Sequence, residues 1–147
     1  MAMPESTVGT TAESLVLLLS DVERRVTRRL AHVLAHDGCS VERWRVLALL
    51  AGGDRHRMTE LAEVTQLPPA SLTRLIDGMV ADNLVHRKPD PRDRRSVLVH
   101  LTQRGLAMQR RLSERIAVER DAIFADVDED ALASALASLA GAVVRGR

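Results

Sequence analysis

Apolar residues recur at steps of three and four along most of this chain, and the rhythm changes to a step of two only past its middle. Leu15, Leu19, Val22, Val26, Leu30 and Val33 mark one face of a long amphipathic helix that runs to about residue 36. Thr10 and Glu13 have the spacing of a capping box at its start, and Asp37-Gly38 stops it. Ser40 can cap a second helix over 41–50, apolar on several sides and therefore central, which Gly52-Gly53 ends. Residues 55–58 suit a short connector that could hold one extended strand. Thr59 can cap a short helix over 60–65, with Glu60 and Glu63 placed to complement its dipole. After the turn Gln66-Leu67-Pro68, Pro69 opens another helix, because its missing N–H would be unsatisfied there anyway. That helix turns Leu72, Leu75, Ile76, Met79 and Val80 inward, leaves Ser71, Thr73, Arg74 and Asp77 on other faces, and ends on a left-handed Asn83.

Residues 84–88 then read as a strand, 89–93 as a tight turn, and the alternation Val97-Leu98-Val99-His100-Leu101 as the returning strand of a β-hairpin. Thr102 caps a long helix through Leu106, Leu112, Ile116 and Ile123. A last helix begins near Asp128, with Leu132, Leu136, Leu139 and Val143 on one stripe. The expected fold is mainly α with a small β-wing: six helices and one β-hairpin, arranged as a winged helix-turn-helix with long dimerisation helices. Residues 1–9 read as a flexible arm, 10–36 and 103–147 as long flanking helices, and 40–102 as the winged head.

Composition changes this picture little. At 46% hydrophobic and 28% charged, the 147 residues suit one soluble domain rather than a disordered chain. Lys88 is the single lysine among 21 basic residues, a bias that base composition of the genome can produce, so the arginine content is discounted as a sign of nucleic-acid binding. A lone cysteine, Cys39, allows no intrachain disulfide, and no signal-peptide pattern or bilayer-length apolar run is present; the expected location is the cytoplasm, on the nucleoid. Net charge is only +1, yet its distribution is uneven. From His86 to Arg120 ten basic residues face four acids, whereas from Asp121 to Arg147 five acids face two arginines. A local basic stripe on a nearly neutral chain implies an anionic partner met by one face.

Short helix, tight turn, second helix and basic hairpin together make a device for reading duplex DNA. The second helix fits the major groove, where base edges differ in their donors and acceptors. Pro69, Ala70 and Ser71 at its start permit close approach, and Thr73 and Arg74 can donate to bases or phosphates. Arg92, Arg94 and Arg95 on the hairpin can meet phosphates or enter the adjacent minor groove. A competing reading is a winged-helix module that binds another protein, but such a wing would not need three arginines. No Gly-rich phosphate loop, metal tetrad or activated nucleophile points to an enzyme, and no cofactor is expected.

The runs Thr59-Glu60-Leu61-Ala62, Ser71-Leu72-Thr73-Arg74-Leu75-Ile76-Asp77 and Asn83-Leu84-Val85-His86-Arg87 resemble the MarR family of multiple-antibiotic-resistance regulators. So do Asp90-Pro91-Arg92-Asp93-Arg94-Arg95, the segment from Val97 to Gly105, and Trp44-Arg45-Val46-Leu47. The resemblance implies a homodimer, intertwined through its first, fifth and sixth helices, that binds pseudo-palindromic double-stranded DNA, most often as a repressor. It also implies a wing brace in which Asp93 and Arg95 match the family's Asp-x-Arg and Asp93 pairs with Arg74. Relatives take small aromatic or phenolic effectors between head and dimerisation helices. Trp44 could line such a cleft, or simply pack in the core, and Arg45, Arg24, Arg25 or Arg28 could meet a carboxylate there. Two positions depart from the family pattern: Pro68 stands where a Ser or Thr cap is common, and Gln66 where Gly is common. The residues themselves also imply dimerisation, since a small head leaves the long helices with uncovered apolar faces.

Two weaker patterns are read as structural. Cys39 is expected to be a buried thiol rather than an oxidant sensor. His32 and His36 share one helix face, but two histidines without a further pair are read as surface residues, not a metal site.

Overall fold

A computed structural model describes residues 12–146. The expected arm at 1–9 and the Thr10 cap lie outside the described residues. The order of elements is α1 (Ala12–Ala35), α2 (Val41–Leu50), β1 (His56–Arg57), α3 (Met58–Thr65), α4 (Pro69–Ala81), β2 (Val85–Asp90), β3 (Asp93–Leu101), α5 (Gln103–Phe124) and α6 (Glu129–Arg145). The strands form one antiparallel sheet in the order β1-β3-β2.

Local chemistry sets most helix ends. The backbone N–H of Cys39 reaches the Leu34 carbonyl at 3.1 Å, closing α1 through Gly38 at φ +62°. The same arrangement closes α4: Asn83 sits at φ 56°, and Leu84 N–H bonds to Met79 O at 2.9 Å. Ser40, Thr102 and Asp128 each accept a backbone N–H at the start of α2, α5 and α6. Thr102 also donates to Asn83 O at 2.6 Å, so the start of α5 is tied to the end of α4. Gly105 is required in that corner, because a Cβ there would press into the Leu84 carbonyl.

Three expectations need correction. The short helix α3 begins at Met58 rather than after a Thr59 cap, and the Glu60 carboxylate turns back to accept the Arg57 N–H at 2.6 Å. Val80 is 37% exposed, because the buried stripe of α4 is filled by Leu72, Ile76 and Met79. The connector supplies the one strand its residues allowed, His56 and Arg57 pairing with Val99 and Leu98, which extends the hairpin to a three-stranded sheet. The hairpin strands are also longer than expected. β2 runs through Pro89 to Asp90, with a register shift between these two residues where proline has no N–H for the ladder. Only Pro91 and Arg92 are left as the turn.

The core lies within the head. Val46, Leu47, Leu61, Ile76, Met79 and Val99 are fully buried there, joined by Leu34 from the end of α1 and Leu112 from the middle of α5. Among the described residues, the N-terminal half of α1 and all of α6 contribute none that is buried.

Candidate nucleic-acid interface

Burial of Leu72, Ile76 and Met79 orients α4 so that Pro69, Ala70, Thr73 and Arg74 are exposed, with Ser71 half-buried. Gln66 makes the preceding turn possible by adopting φ 59°, a left-handed conformation that favours glycine. Pro68 occupies the cap position and offers no side-chain bond, so the helix start is held by proline geometry instead. The Thr73 hydroxyl donates to Pro69 O at 3.0 Å and keeps its oxygen free as an acceptor.

The wing is fixed by three carboxylates. Asp77 of α4 takes Arg87 of β2 at 2.6 Å, an ion pair that joins helix to hairpin. Asp90, whose side chain is 5% exposed, accepts the Arg92 backbone N–H at 2.9 Å and the Arg57 guanidinium at 2.7 Å. Those bonds, the backbone one first, hold the Asp90 carboxyl below the usual carboxylate range. Asp93 accepts the Arg95 backbone N–H and the Ser96 hydroxyl, each at 3.0 Å. The carboxylate of Asp93 is thus occupied on its own strand, and the contact expected between Asp93 and Arg74 is replaced by Asp77 with Arg87. Neither Asp77, Arg87, Arg57 nor Asp90 was singled out from sequence for this role. A carboxylate and an arginine on adjoining elements were the available signal.

Four cations on α4 and at the wing tip face no acid. Among the described residues, the side chains of Arg74, Arg92, Arg94 and Arg95 have no acidic partner, and all four are exposed. On the same β2–β3 pair, away from the turn, His86 and His100 meet edge-to-face with ring centroids 3.7 Å apart. Burial, then the neighbouring His86, pushes His100 below its ordinary value.

The long helices α1 and α5 are joined to each other by further ion pairs. Asp37, just past α1, is met by Arg111 at 3.1 Å and Arg115 at 2.6 Å, one turn apart on α5. Arg29 pairs with Glu119. Of the residues considered for an effector cleft, Trp44 packs half-buried against the core. Arg45 faces Glu23 of α1 at 3.8 Å, and Arg24 and Arg25 are both engaged by Asp21 on their own helix. Arg28 is exposed and has no acidic partner among the described residues. Cys39 is buried, and that burial pushes its thiol up to about 11, far from a reactive thiolate. His32 and His36 lie edge-to-face at 5.7 Å, and no third ligand joins them among the described residues.

A three-helix head carrying a β-wing beside its third helix, α4, and flanked by long helices defines a winged helix-turn-helix protein. The MarR family model matches residues 37–96, which hold α2, the helix pair and most of the wing. The chain is 34% identical over 100 residues to the HTH-type transcriptional repressor YetL of Bacillus subtilis (strain 168), across 65% of this chain and 60% of that protein. It therefore spans about three fifths of the length of this curated relative. A cysteine-to-serine mutant of MarR from E. coli, solved with operator DNA, superposes with a TM-score of 0.71 at 25% identity, across 87% of this chain and 92% of that one. NadR in complex with 4-hydroxyphenylacetate shares the fold, with a TM-score of 0.78 at 21% identity across 95% and 96% of the two chains. The chain is similar to the MarR family in this head and shares the family's winged-helix fold. Among the described residues no helix is long and apolar enough to cross a membrane.

Proposed function

We propose that this chain is a dimeric, sequence-specific regulator of transcription that represses by occupying a pseudo-palindromic operator. The observation that carries this reading is the cluster of unpaired cations: Arg74 on α4 and Arg92, Arg94 and Arg95 on the wing, all exposed while Arg57 and Arg87 beside them are paired. Pro69, Ala70, Ser71, Thr73 and Arg74 read base edges in the major groove, and the wing arginines take the adjacent minor groove and its phosphates. Asp77 with Arg87 and Asp90 with Arg57 hold the wing at a fixed angle to the helix, and Asp93 shapes the strand that carries Arg94 and Arg95.

Residues 10–36 and 103–147 serve as the dimerisation helices and 40–102 as the reading head. The exposed apolar faces of α1 and α6 support this division. YetL is named a repressor, which favours the same outcome here. Release by a small aromatic or phenolic acid completes the reading. Trp44 supplies an aromatic wall, and Arg28 is the candidate carboxylate partner, since Arg24 and Arg45 already face acids. The 4-hydroxyphenylacetate held by NadR has this chemistry.

Selection of genomic fragments by the purified protein tests the proposal, followed by titration of the recovered duplex. Arg94→Ala is expected to weaken binding by about 1–3 kcal/mol and to flatten its salt dependence. Failure to enrich any duplex would transfer the reading to a protein-binding winged helix.

A further inference from the structure

Between the wing turn and the start of α3 lies an open concavity of about 710 Å³, with Arg55, Arg57 and Thr59 on one side and Arg92 on the other. Its two carboxylates are already engaged. Asp90 holds the Arg57 guanidinium at 2.7 Å and the Arg92 backbone N–H at 2.9 Å. Glu60 holds the Arg57 backbone N–H at 2.6 Å and faces His56 Nδ1 at 3.4 Å. Arg55 and the Arg92 side chain are exposed and have no acidic partner among the described residues. Arg57 spends Nη2 on Asp90 and keeps its other N–H groups, and that bond fixes its planar fork in advance. Three guanidinium groups against two occupied carboxylates leave the concavity with surplus positive charge and unfilled donors.

We infer that this concavity is an oxyanion cradle, and that its occupant is a phosphate of the duplex backbone beside the minor groove. The inference rests on the proposed DNA reading and adds Arg55, Arg57 and Thr59 to it. Arg92 links the two: it stands at the wing turn and on the rim of the cradle, so a strand that meets the turn runs past Arg55. A phosphate here carries no base information; it sets how far the wing enters the groove.

Arg55→Ala is the test, because an exposed, unpaired side chain can be removed without loss of fold, which an unchanged melting temperature verifies. Affinity for the selected operator and for an unrelated duplex of equal length is measured from 50 to 200 mM salt. We expect roughly fivefold weaker binding to both duplexes and a salt slope reduced by about 1. Arg55→Lys restores most of the loss, and Arg55→Glu deepens it. Operator binding by the parent with identical affinity and slope in Arg55→Ala overturns the cradle alone. No duplex binding by the parent overturns the DNA reading and the cradle together. Inorganic phosphate, titrated without DNA and followed through the Arg55 and Thr59 amide resonances, distinguishes the source. Saturable shifts lost in Arg55→Ala, with DNA binding untouched by that change, assign the cradle to a free anion and overturn the backbone assignment.

Discussion

Leu47, Leu61, Ile76 and Val99 of the head are fully enclosed by neighbours from the same chain, whereas Leu15, Leu19, Val22, Leu136, Leu139 and Val143 of the long helices remain 44–59% exposed. Both groups recur with equally regular helical or strand spacing. The difference is what stands opposite them. In the head, α2, α3, α4 and the sheet surround one another, and each apolar stripe finds its counterpart within about sixty residues. In the N-terminal half of α1 and in α6 the stripes have no counterpart among the described residues. Periodicity reports that a face will be buried, but not whether the same chain buries it.

The sharpest way to break this contrast is to place charge on the exposed stripe. Leu136→Asp with Leu139→Asp changes four side chains per dimer. At about 1–1.5 kcal/mol for each partly buried group, the dimer should weaken by about 4–6 kcal/mol. Sedimentation velocity at micromolar concentration should then show monomers, and a variant that stays dimeric would remove α6 from the interface.

The complementary change in the head, Ile76→Ala, opens a cavity in a fully enclosed site. It should cost about 2–5 kcal/mol in urea denaturation, with no direct effect on the α6 stripe. A loss well below that range would show the head to be less self-sufficient than its burial implies.

Gln66→Gly sharpens the account of the turn before α4. It relieves a left-handed residue at φ 59° and should raise head stability by about 0.5–1 kcal/mol in the same assay.

The smallest effect concerns pH. Burial and then His86 lower the pKa of His100 from its ordinary 6.5, so below that value the unfolded chain binds more protons than the folded one. The stability in question is complete above pH 6.5 and is lost as pH falls through the interval below it. Melting temperature should drop by a few degrees between pH 7.5 and 5.5, and His100→Gln should flatten that part of the curve. An identical slope in the variant would place the dependence elsewhere.

How much of this was legible in the sequence follows the range of each interaction. Ser40, Thr102, Asp128 and Asn83 were readable because a cap bonds to backbone within a few residues. The core positions Leu72, Ile76 and Met79 were readable from their spacing, while Val80 was not, since the edge of a buried stripe depends on how far the opposing element reaches. Pro89 and Asp90 read as turn by residue type, yet the strand continues through them by accommodating a shift in register. The bonds that fix the wing were least visible. Arg57 and Asp90 are 33 residues apart, and Asp77 and Arg87 meet only because the hairpin folds beside α4. Asp93 went instead to the nearest donors available, those of Arg95 and Ser96. The unpaired wing arginines were visible in advance because the run from Arg92 to Arg95 offers one acid for three cations.

The central claim, that two uncovered helical stripes pair in order to set two reading heads on one duplex, is tested most directly by the mass of the protein–DNA complex. Sedimentation equilibrium with the selected operator should give two chains per duplex, and a duplex carrying a single half-site should bind at least about 100-fold more weakly, since the second head loses its contacts. One chain per duplex, or equal affinity for the single half-site, would contradict it.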